Sequence, residues 1–392
     1  MQTVKNPTNG SRSNGPPSGR SAILRKLILA GCTFLLADLL LAQLAKVAWP
    51  FWNPARTEAR YRITSEIYHH DLARRVDTRG VWGNLLYRVR TNSLGFRDAT
   101  AREVPLRSGS HRLLVIGDSF TEGLGVAFER TFVGIIAGVL GADGIEVLNA
   151  AVLSYSPSIY YRKVRYLLEE VGLDVDEVVV FLDISDIQDE GWFYYIDDDD
   201  VVRFHERTPG WARVWDGTLG GRGGSAGIKG FLEDNSVTVH FASRVLERRF
   251  GQRLPGRADR LPRTGSQRAV WTTDRRYYEA YGRAGLERAG ARMDALLSVL
   301  ESRSIPLTVV VYPWPDQLAA DDRDSVQVRF WSEWSRERGV QFVNLFPPFF
   351  DEGEPEQLLS RYYIPNDTHL NEVGHRLAAE SFLASFRVGT ER

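Results

Sequence analysis

The sequence predicts an α/β protein, a three-layer αβα sandwich on a five-stranded parallel sheet, with one N-terminal transmembrane helix ahead of it. Two observations predict the sandwich. Five short, nearly continuous apolar runs occur after residue 110, and helical stretches separate them. The third observation is a run of 19 apolar-rich residues near the start, LILAGCTFLLADLLLAQLA at 27–45.

The five runs are LLVIG (113–117), IEVLN (145–149), EVVVFLD (177–183), LTVVVY (307–312) and VQFVNLF (340–346). Strands covered on both faces of a parallel sheet lose the apolar–polar alternation of half-exposed strands, and these runs lack it. Helical candidates lie near 129–141, 158–171, 277–303, 325–338 and 371–386. A βαβ alternation of this kind gives a doubly wound sheet with right-handed crossovers.

Residues 1–26 are rich in Gly, Ser, Pro and Asn, and carry Lys5, Arg12, Arg20, Arg25 and Lys26 without one acid. They read as a disordered basic tail. The run at 27–45 is about the length that crosses a bilayer core as helix, and Trp49 and Trp52 follow as interfacial aromatics do. A cleaved signal peptide lacks a convincing small-residue site. The LAGC string at 29–32 resembles a lipoprotein box, yet the apolar run continues past Cys32. An uncleaved single-pass anchor in the inner (cytoplasmic) membrane is the expectation, with the basic tail in the cytoplasm and the main body outside. Lys46, Arg56, Arg60 and Arg62 on the far side argue the other way. Asp38 near the middle of the run costs about 2.5–3.5 kcal/mol on insertion scales. Either it contacts another membrane protein or the Leu-rich span tolerates it.

The organisation expected is therefore a tail (1–26), an anchor (27–45), a connecting segment (46–110) and an α/β domain (111–387) with an insertion at 187–276. The 49 basic and 50 acidic residues leave a net charge of −1, which gives no electrostatic footprint for nucleic acid. The single cysteine, Cys32, excludes a disulfide framework within the chain. No cofactor is implied.

Open α/β sheets bind ligands at the carboxyl ends of their strands. Asp118-Ser119-Phe120-Thr121 follows the first run, Ala150-Ala151 the second, Ile184-Ser185-Asp186 the third and Pro313-Trp314-Pro315 the fourth. Asn366-Asp367-Thr368-His369 precedes the last helix. A serine hydroxyl becomes a competent nucleophile when an imidazole takes its proton, and the imidazole needs a carboxylate to fix its tautomer. Ser119 is the candidate nucleophile, His369 the base and then the acid, and Asp367 the orienter.

VIGDSFTEG at 115–123 resembles the GDSL block of the SGNH hydrolases, with Phe120 in place of the usual Leu. DTHLNEVGH at 367–375 resembles their last block. The resemblance covers about 111–186 and 277–387, and it implies a serine esterase or acyltransferase on an SGNH-like fold. The family's last block reads D-x-x-H, whereas Asp367 stands two residues before His369, a spacing similar to the alginate O-acetyltransferase branch. Asn366 holds the three-back position. For the oxyanion hole the resemblance implies Ser119, then Ala151 or Ser154 for the family's Gly. Ser185 stands where the family has Asn, a hydroxyl in place of an amide.

Other residues have plainer readings. Asp118 is expected to hold its loop through backbone N–H groups, and Asp186 and His375 to be structural. His69 and His70 beside Asp71 lack the further ligands of a zinc set, so no metal is expected. TNSLGFRD at 91–98 resembles stretches before GDSF in membrane-anchored members of the family and is expected to frame the site. Asp197–Asp200 lacks the alternating spacing of a calcium loop and reads as a solvated loop. The insertion shows no clear strand pattern. Its GWFYY (191–195), Trp211 and Trp215 suggest a lid or sugar-stacking wall, with Trp192, Tyr194 and Trp314 as substrate-binding candidates; a helical cap is the alternative. GGRGG at 220–224 lacks the GK[ST] of a P-loop.

Three functions stay open. One is removal of O-acyl groups, foremost O-acetyl, from an extracytoplasmic glycan. Another is O-acyl transfer to a glycan through the same acyl-serine, fed by a membrane acyl-donor protein. The third is an inactive glycan-binding module.

Overall fold

The five apolar runs form one parallel sheet, and its strand order decides where a ligand can reach it. The structure is a computed structural model and describes residues 19–49, 51–52, 57–205, 231–232, 235–250, 265–320, 322–350 and 353–389. These residues form two units, one drawn from 1–52 and 224–253, the other from 53–223 and 254–392.

Helix α1 (Gly19–Ala48) contains the predicted anchor and extends beyond it at both ends. Its stretch Ala22–Ala48, 27 residues, is long and apolar enough to cross a membrane. Where a plain connecting segment was expected, two antiparallel hairpins follow, β1 (Arg62–Ser65) with β2 (His69–Leu72) and β3 (Asp77–Trp82) with β4 (Leu85–Arg90). The second closes on Gly83-Asn84, where Gly83 adopts φ 55°, a left-handed conformation that a two-residue hairpin turn requires. Tyr87 and Val89 are buried in the main core, and residues 57–110 belong to the α/β unit.

Strand β5 (Arg112–Ile116) leads into the four-residue helix α2 (Ser119–Glu122) and then α3 (Phe132–Ala142). β6 (Glu146–Asn149), α4 (Pro157–Tyr166), β7 (Glu177–Leu182) and α5 (Asp186–Trp192) come next. The insertion then contributes a hairpin, β8 (Tyr194–Ile196) with β9 (Val202–Phe204). The GWFYY aromatics thus carry a strand that was not expected. Asp197–Asp200 forms its turn: Asp197 Oδ1 accepts from the N–H groups of Asp199 and Val201, and Arg165 reaches Asp200 at 2.9 Å. Helix α6 (Val237–Phe250) belongs to the unit of α1. Asp38 Oδ1 accepts from Thr238 N and Thr238 Oγ1, both at 2.9 Å. The carboxylate is therefore used within the chain, which removes it as an argument for a membrane partner. Part of the insertion serves α1 and not the catalytic rim. The 1–18 part of the tail, Trp211, Trp215 and the GGRGG stretch lie outside the described residues.

Helix α7 (Arg283–Glu301), β10 (Leu307–Val311), α8 (Val326–Arg338), β11 (Gln341–Asn344) and α9 (Glu372–Ser385) complete the alternation. The sheet order is β11-β10-β7-β5-β6 and every neighbour is parallel. Every residue of β5, β7 and β10 is buried, as their nearly continuous apolar sequences predict; each Val, Leu or Ile among them gains about 1.5–3 kcal/mol from burial. The chain leaves β5 toward β6 on one side and returns to β7 on the other. The crevice of a doubly wound sheet opens at that reversal, beyond the ends of β5 and β7.

Candidate active site

Ser119 stands at that point, on the turn from β5 into α2. Asp118 caps the turn by accepting from Phe120 N at 3.0 Å. Gly117 is required because a Cβ there would lie 2.3 Å from Thr121 Oγ1. On the far side, Ile364 N donates to His369 O (2.9 Å) and Asp367 N to Ile364 O (3.0 Å), which closes a short loop with Asn366 at φ 61°. Asn371 then caps α9, its side chain accepting from Val373 N and Gly374 N.

The loop delivers the imidazole to the serine. His369 Nε2 is 2.9 Å from Ser119 Oγ, a contact spanning 250 positions of sequence. His369 Nδ1 is 2.6 Å from Asp367 Oδ1, and the same oxygen accepts from His369 N at 2.9 Å. A two-residue spacing therefore lets one carboxylate oxygen hold both the backbone and the ring of the histidine. Burial opposes ionisation of Asp367, but its hydrogen bond to His369 and that residue's charge prevail and hold it below the usual carboxylate range.

Ser119 Oγ has a second neighbour, Asp118 Oδ2 at 2.9 Å. One hydroxyl proton cannot serve both Asp118 and His369, so one of them must donate. Asp118 belongs to a buried trio with Asp183 and Asp186, whose carboxylate oxygens lie within 4.8 Å of one another. Tyr312 OH contacts Asp118 Oδ1 (3.2 Å) and Asp183 Oδ2 (3.0 Å), Trp314 Nε1 donates to Asp183 Oδ2 (2.6 Å), and Tyr160 OH donates to Asp186 Oδ2 (2.8 Å). Three carboxylates that close in a dry site do not all ionise. Burial first, and Asp183 second, push Asp118 well above the usual range; burial, then Asp118, do the same to Asp186. Were Asp118 protonated, it would donate to Ser119 Oγ and leave the serine proton for His369 Nε2; with Asp118 ionised, Ser119 Oγ donates to Asp118 Oδ2 instead. Asp118 combines the expected capping role with direct contact to the candidate nucleophile.

Aromatic rings box in the imidazole. Phe120 stacks on His369 with centroids 4.7 Å apart, and Trp82 from the β3–β4 hairpin meets it edge to face at 4.8 Å. Sequence reasoning missed Trp82 because nothing local links a residue of the N-terminal hairpin to a loop near the C-terminus. Trp314 lies behind Phe120 (5.6 Å), 3% exposed, with its N–H committed to Asp183. That placement supports the turn from beneath, so Trp314 does not offer a sugar-binding face. Tyr194 is also 3% exposed and donates to Ser154 O at 3.1 Å. Trp192 is half-buried against Tyr281.

Among the expected oxyanion donors, Ala151 N donates to Asn149 Oδ1 (3.1 Å). Ser185 N donates to Asp183 Oδ1 (2.7 Å), and the residue is 3% exposed. The first is a correction. The Asn149 side chain, fixed in turn by donating to Thr121 O at 2.8 Å, takes the N–H that a β6-end donor would need. Ser119 sits on the rim with its own backbone N–H.

The remaining candidates have structural partners. His375 Nδ1 accepts from Phe132 N (3.2 Å), and burial, the largest cause, lowers its pKa to about 3. His70 Nε2 meets Leu153 O (2.7 Å), and Asp71 pairs with buried Lys163 at 2.7 Å. In the 91–98 stretch, Arg97 N donates to Asn149 O (3.1 Å), which sets that segment against the end of β6.

No protein-family model and no curated protein sequence matches the chain. Several solved structures are similar. One is a member of the lipolytic protein G-D-S-L family from Veillonella parvula, at 12% identity over 71% of this chain and 98% of that one, with a TM-score of 0.36. A catalytic mutant of an acetylxylan esterase from Geobacillus stearothermophilus is 15% identical over 71% and 94%, with a TM-score of 0.37. A psychrotrophic esterase from Pseudoalteromonas is 10% identical over 70% and 96%, with a TM-score of 0.36.

Proposed function

We propose that this chain is a membrane-anchored, SGNH-type serine esterase that removes O-acyl groups, foremost O-acetyl, from an extracytoplasmic glycan. The observation that carries the reading is the continuous relay from Asp367 through His369 to Ser119, at 2.6 and 2.9 Å. In the reaction, Ser119 Oγ attacks the ester carbonyl as His369 Nε2 takes its proton, and Asp367 holds the ring and stabilises its charge. Collapse of the tetrahedral intermediate passes that proton to the departing sugar hydroxyl and leaves acyl-Ser119. Water, activated by His369, then releases the acid.

Ser119 is 5% and His369 7% exposed, so an ester approaches end-on past Phe120 and Trp82, which suits a small acyl group. For the anchor, the support is the 27-residue apolar helix Ala22–Ala48. Lys5, Arg12, Arg20, Arg25 and Lys26 ahead of it favour a cytoplasmic tail and a domain outside.

The alternative is O-acyl transfer to a polysaccharide, in which a sugar hydroxyl resolves acyl-Ser119 and a membrane protein supplies the acyl group. The D-x-H spacing favours it. Incubation of the full-length protein with p-nitrophenyl acetate, with and without a xylan or chitooligosaccharide acceptor, separates the readings. Acetate release independent of acceptor supports the esterase. Acetylated sugar supports the transferase, and no turnover supports a binding module. Undiminished turnover by Ser119→Ala would remove Ser119 from the mechanism.

A further inference from the structure

Asp38 sets the depth of a second element. It lies 10 residues before the end of the apolar stretch Ala22–Ala48, or roughly 15 Å along the helix. The surrounding Leu35, Leu36, Leu40 and Leu41 are each more than half exposed, whereas Asp38 is 6% exposed. What covers it is the start of α6, through the backbone N–H and hydroxyl of Thr238. A carboxylate at this depth in hydrocarbon has no water to turn to, and neither do the unpaired N–H groups of a helix start. Each supplies what the other lacks.

The neighbouring contacts give the direction of the crossing. Asn235 Oδ1 accepts from Gln43 Nε2 (3.1 Å) and Lys46 Nζ (2.8 Å). His240 stacks on Trp52 (4.1 Å) and Phe241 on Trp49 (5.7 Å). As the chain advances from 235 through 238 to 241, its partners on the α1 side move from 43–46 back to 38 and then on to 49. A helix running along α1 would move steadily one way. This segment crosses α1 over its C-terminal third. Beyond the crossing, Phe231, Phe241 and Val245 are 61%, 44% and 58% exposed, which continues the apolar surface of α1.

We propose that helix α6 (Val237–Phe250) is a second membrane element, an interfacial helix lying across α1 in the outer leaflet, pinned by Asp38 and presenting Phe241 and Val245 to lipid. The proposal rests on the reading of α1 as a membrane span. Helices of this kind bury an apolar face about 5–10 Å below the headgroups, and the contacts of His240 with Trp52 and Phe241 with Trp49 hold this one at the interfacial end of α1. A crossing helix adds a second attachment within the membrane plane.

The test uses the full-length protein in phosphatidylcholine vesicles, with Cys32→Ser as background and one fluorophore-labelled cysteine per variant. Leu36→Cys reports on the span, Val245→Cys on the crossing helix and Glu103→Cys on water. Lipids brominated at graded depths serve as quenchers. The expected result is quenching at 36 by deep bromines, quenching at 245 by shallow ones and none at 103. Adding Asp38→Ala should abolish quenching at 245 and leave 36 unchanged. Quenching at 36 with a 245 probe that behaves like 103 overturns the interfacial helix and spares the span. No quenching at 36 overturns the span itself. Undiminished quenching at 245 in the Asp38→Ala protein overturns the pin.

Discussion

The indole of Trp82 meets the imidazole of His369 edge to face, with ring centroids 4.8 Å apart. With Phe120 stacked on the ring at 4.7 Å, it fixes where Nε2 points. Productive attack tolerates little angular error, and misplacement by about 1 Å can cost on the order of 100-fold in rate. Trp82→Ala should therefore lower kcat for p-nitrophenyl acetate by roughly 10- to 100-fold, and Trp82→Phe should restore most of it. Equal rates for Trp82→Ala and the parent would deny the ring a positioning role.

Asp118 shares Ser119 Oγ with His369, at 2.9 Å in each case. If Asp118 is the donor in that contact, an amide replaces it well and a methyl group does not. Asp118→Asn should stay close to the parent in kcat, while Asp118→Ala should lose roughly 1–3 kcal/mol of stabilisation at this site, or about 5- to 150-fold in rate. Indistinguishable rates for the two variants would contradict the protonated form.

Asp367 holds His369 through one oxygen, which accepts from both its ring and its backbone. An amide in its place can donate, and a donor selects the wrong tautomer. Asp367→Asn should lower kcat on the order of 10,000-fold, as loss of the orienting acid does in triads of this type. A rate within tenfold of the parent would transfer the orienting role elsewhere, and Asn366 one position earlier does not contact the ring in this structure's hydrogen bonds.

His375 makes the fold acid-sensitive. Its folded pKa is lowered from 6.5 to about 3, chiefly by burial. A depressed value means that the unfolded chain binds the proton first, so the stabilisation is complete above pH 6.5 and is lost as pH falls toward 3. The slope is about 1.4 kcal/mol per pH unit in that window. His375→Gln, which keeps an acceptor for Phe132 N, should flatten the acid limb of a plot of Tm against pH between 6.5 and 4. Parallel limbs for the two proteins would assign the sensitivity to other groups.

Much of this site could be read from the sequence, and the exceptions have physical causes. The strands β5, β7 and β10 are buried on both faces, so each advertises itself by a nearly continuous apolar run. The GDSF turn and the D-x-H loop each keep their key residues within a few positions. Trp82 was hidden because its hairpin is short, and its partner lies in a loop near the other end of the chain. Ala151 misled because a backbone N–H looks available in a sequence, whereas the Asn149 side chain that takes it acts only once the turn is folded. Trp314 and Tyr194 were read as substrate-binding aromatics on the rim, but Asp183 and Ser154 draw their polar ends inward. Asp38 shows the same gap: a lone acid in an apolar run does not reveal that Thr238 covers it, 200 positions later.

Catalysis of the proposed kind requires Ser119 to form a covalent bond to an electrophile under control of His369. The most direct measurement is mass spectrometry of peptides after treatment of the full-length protein with a fluorophosphonate. The predicted result is a single adduct on the peptide containing Ser119, absent in Ser119→Ala and strongly slowed in His369→Ala. An unmodified Ser119 peptide in the parent protein, or labelling at an undiminished rate in His369→Ala, would contradict it.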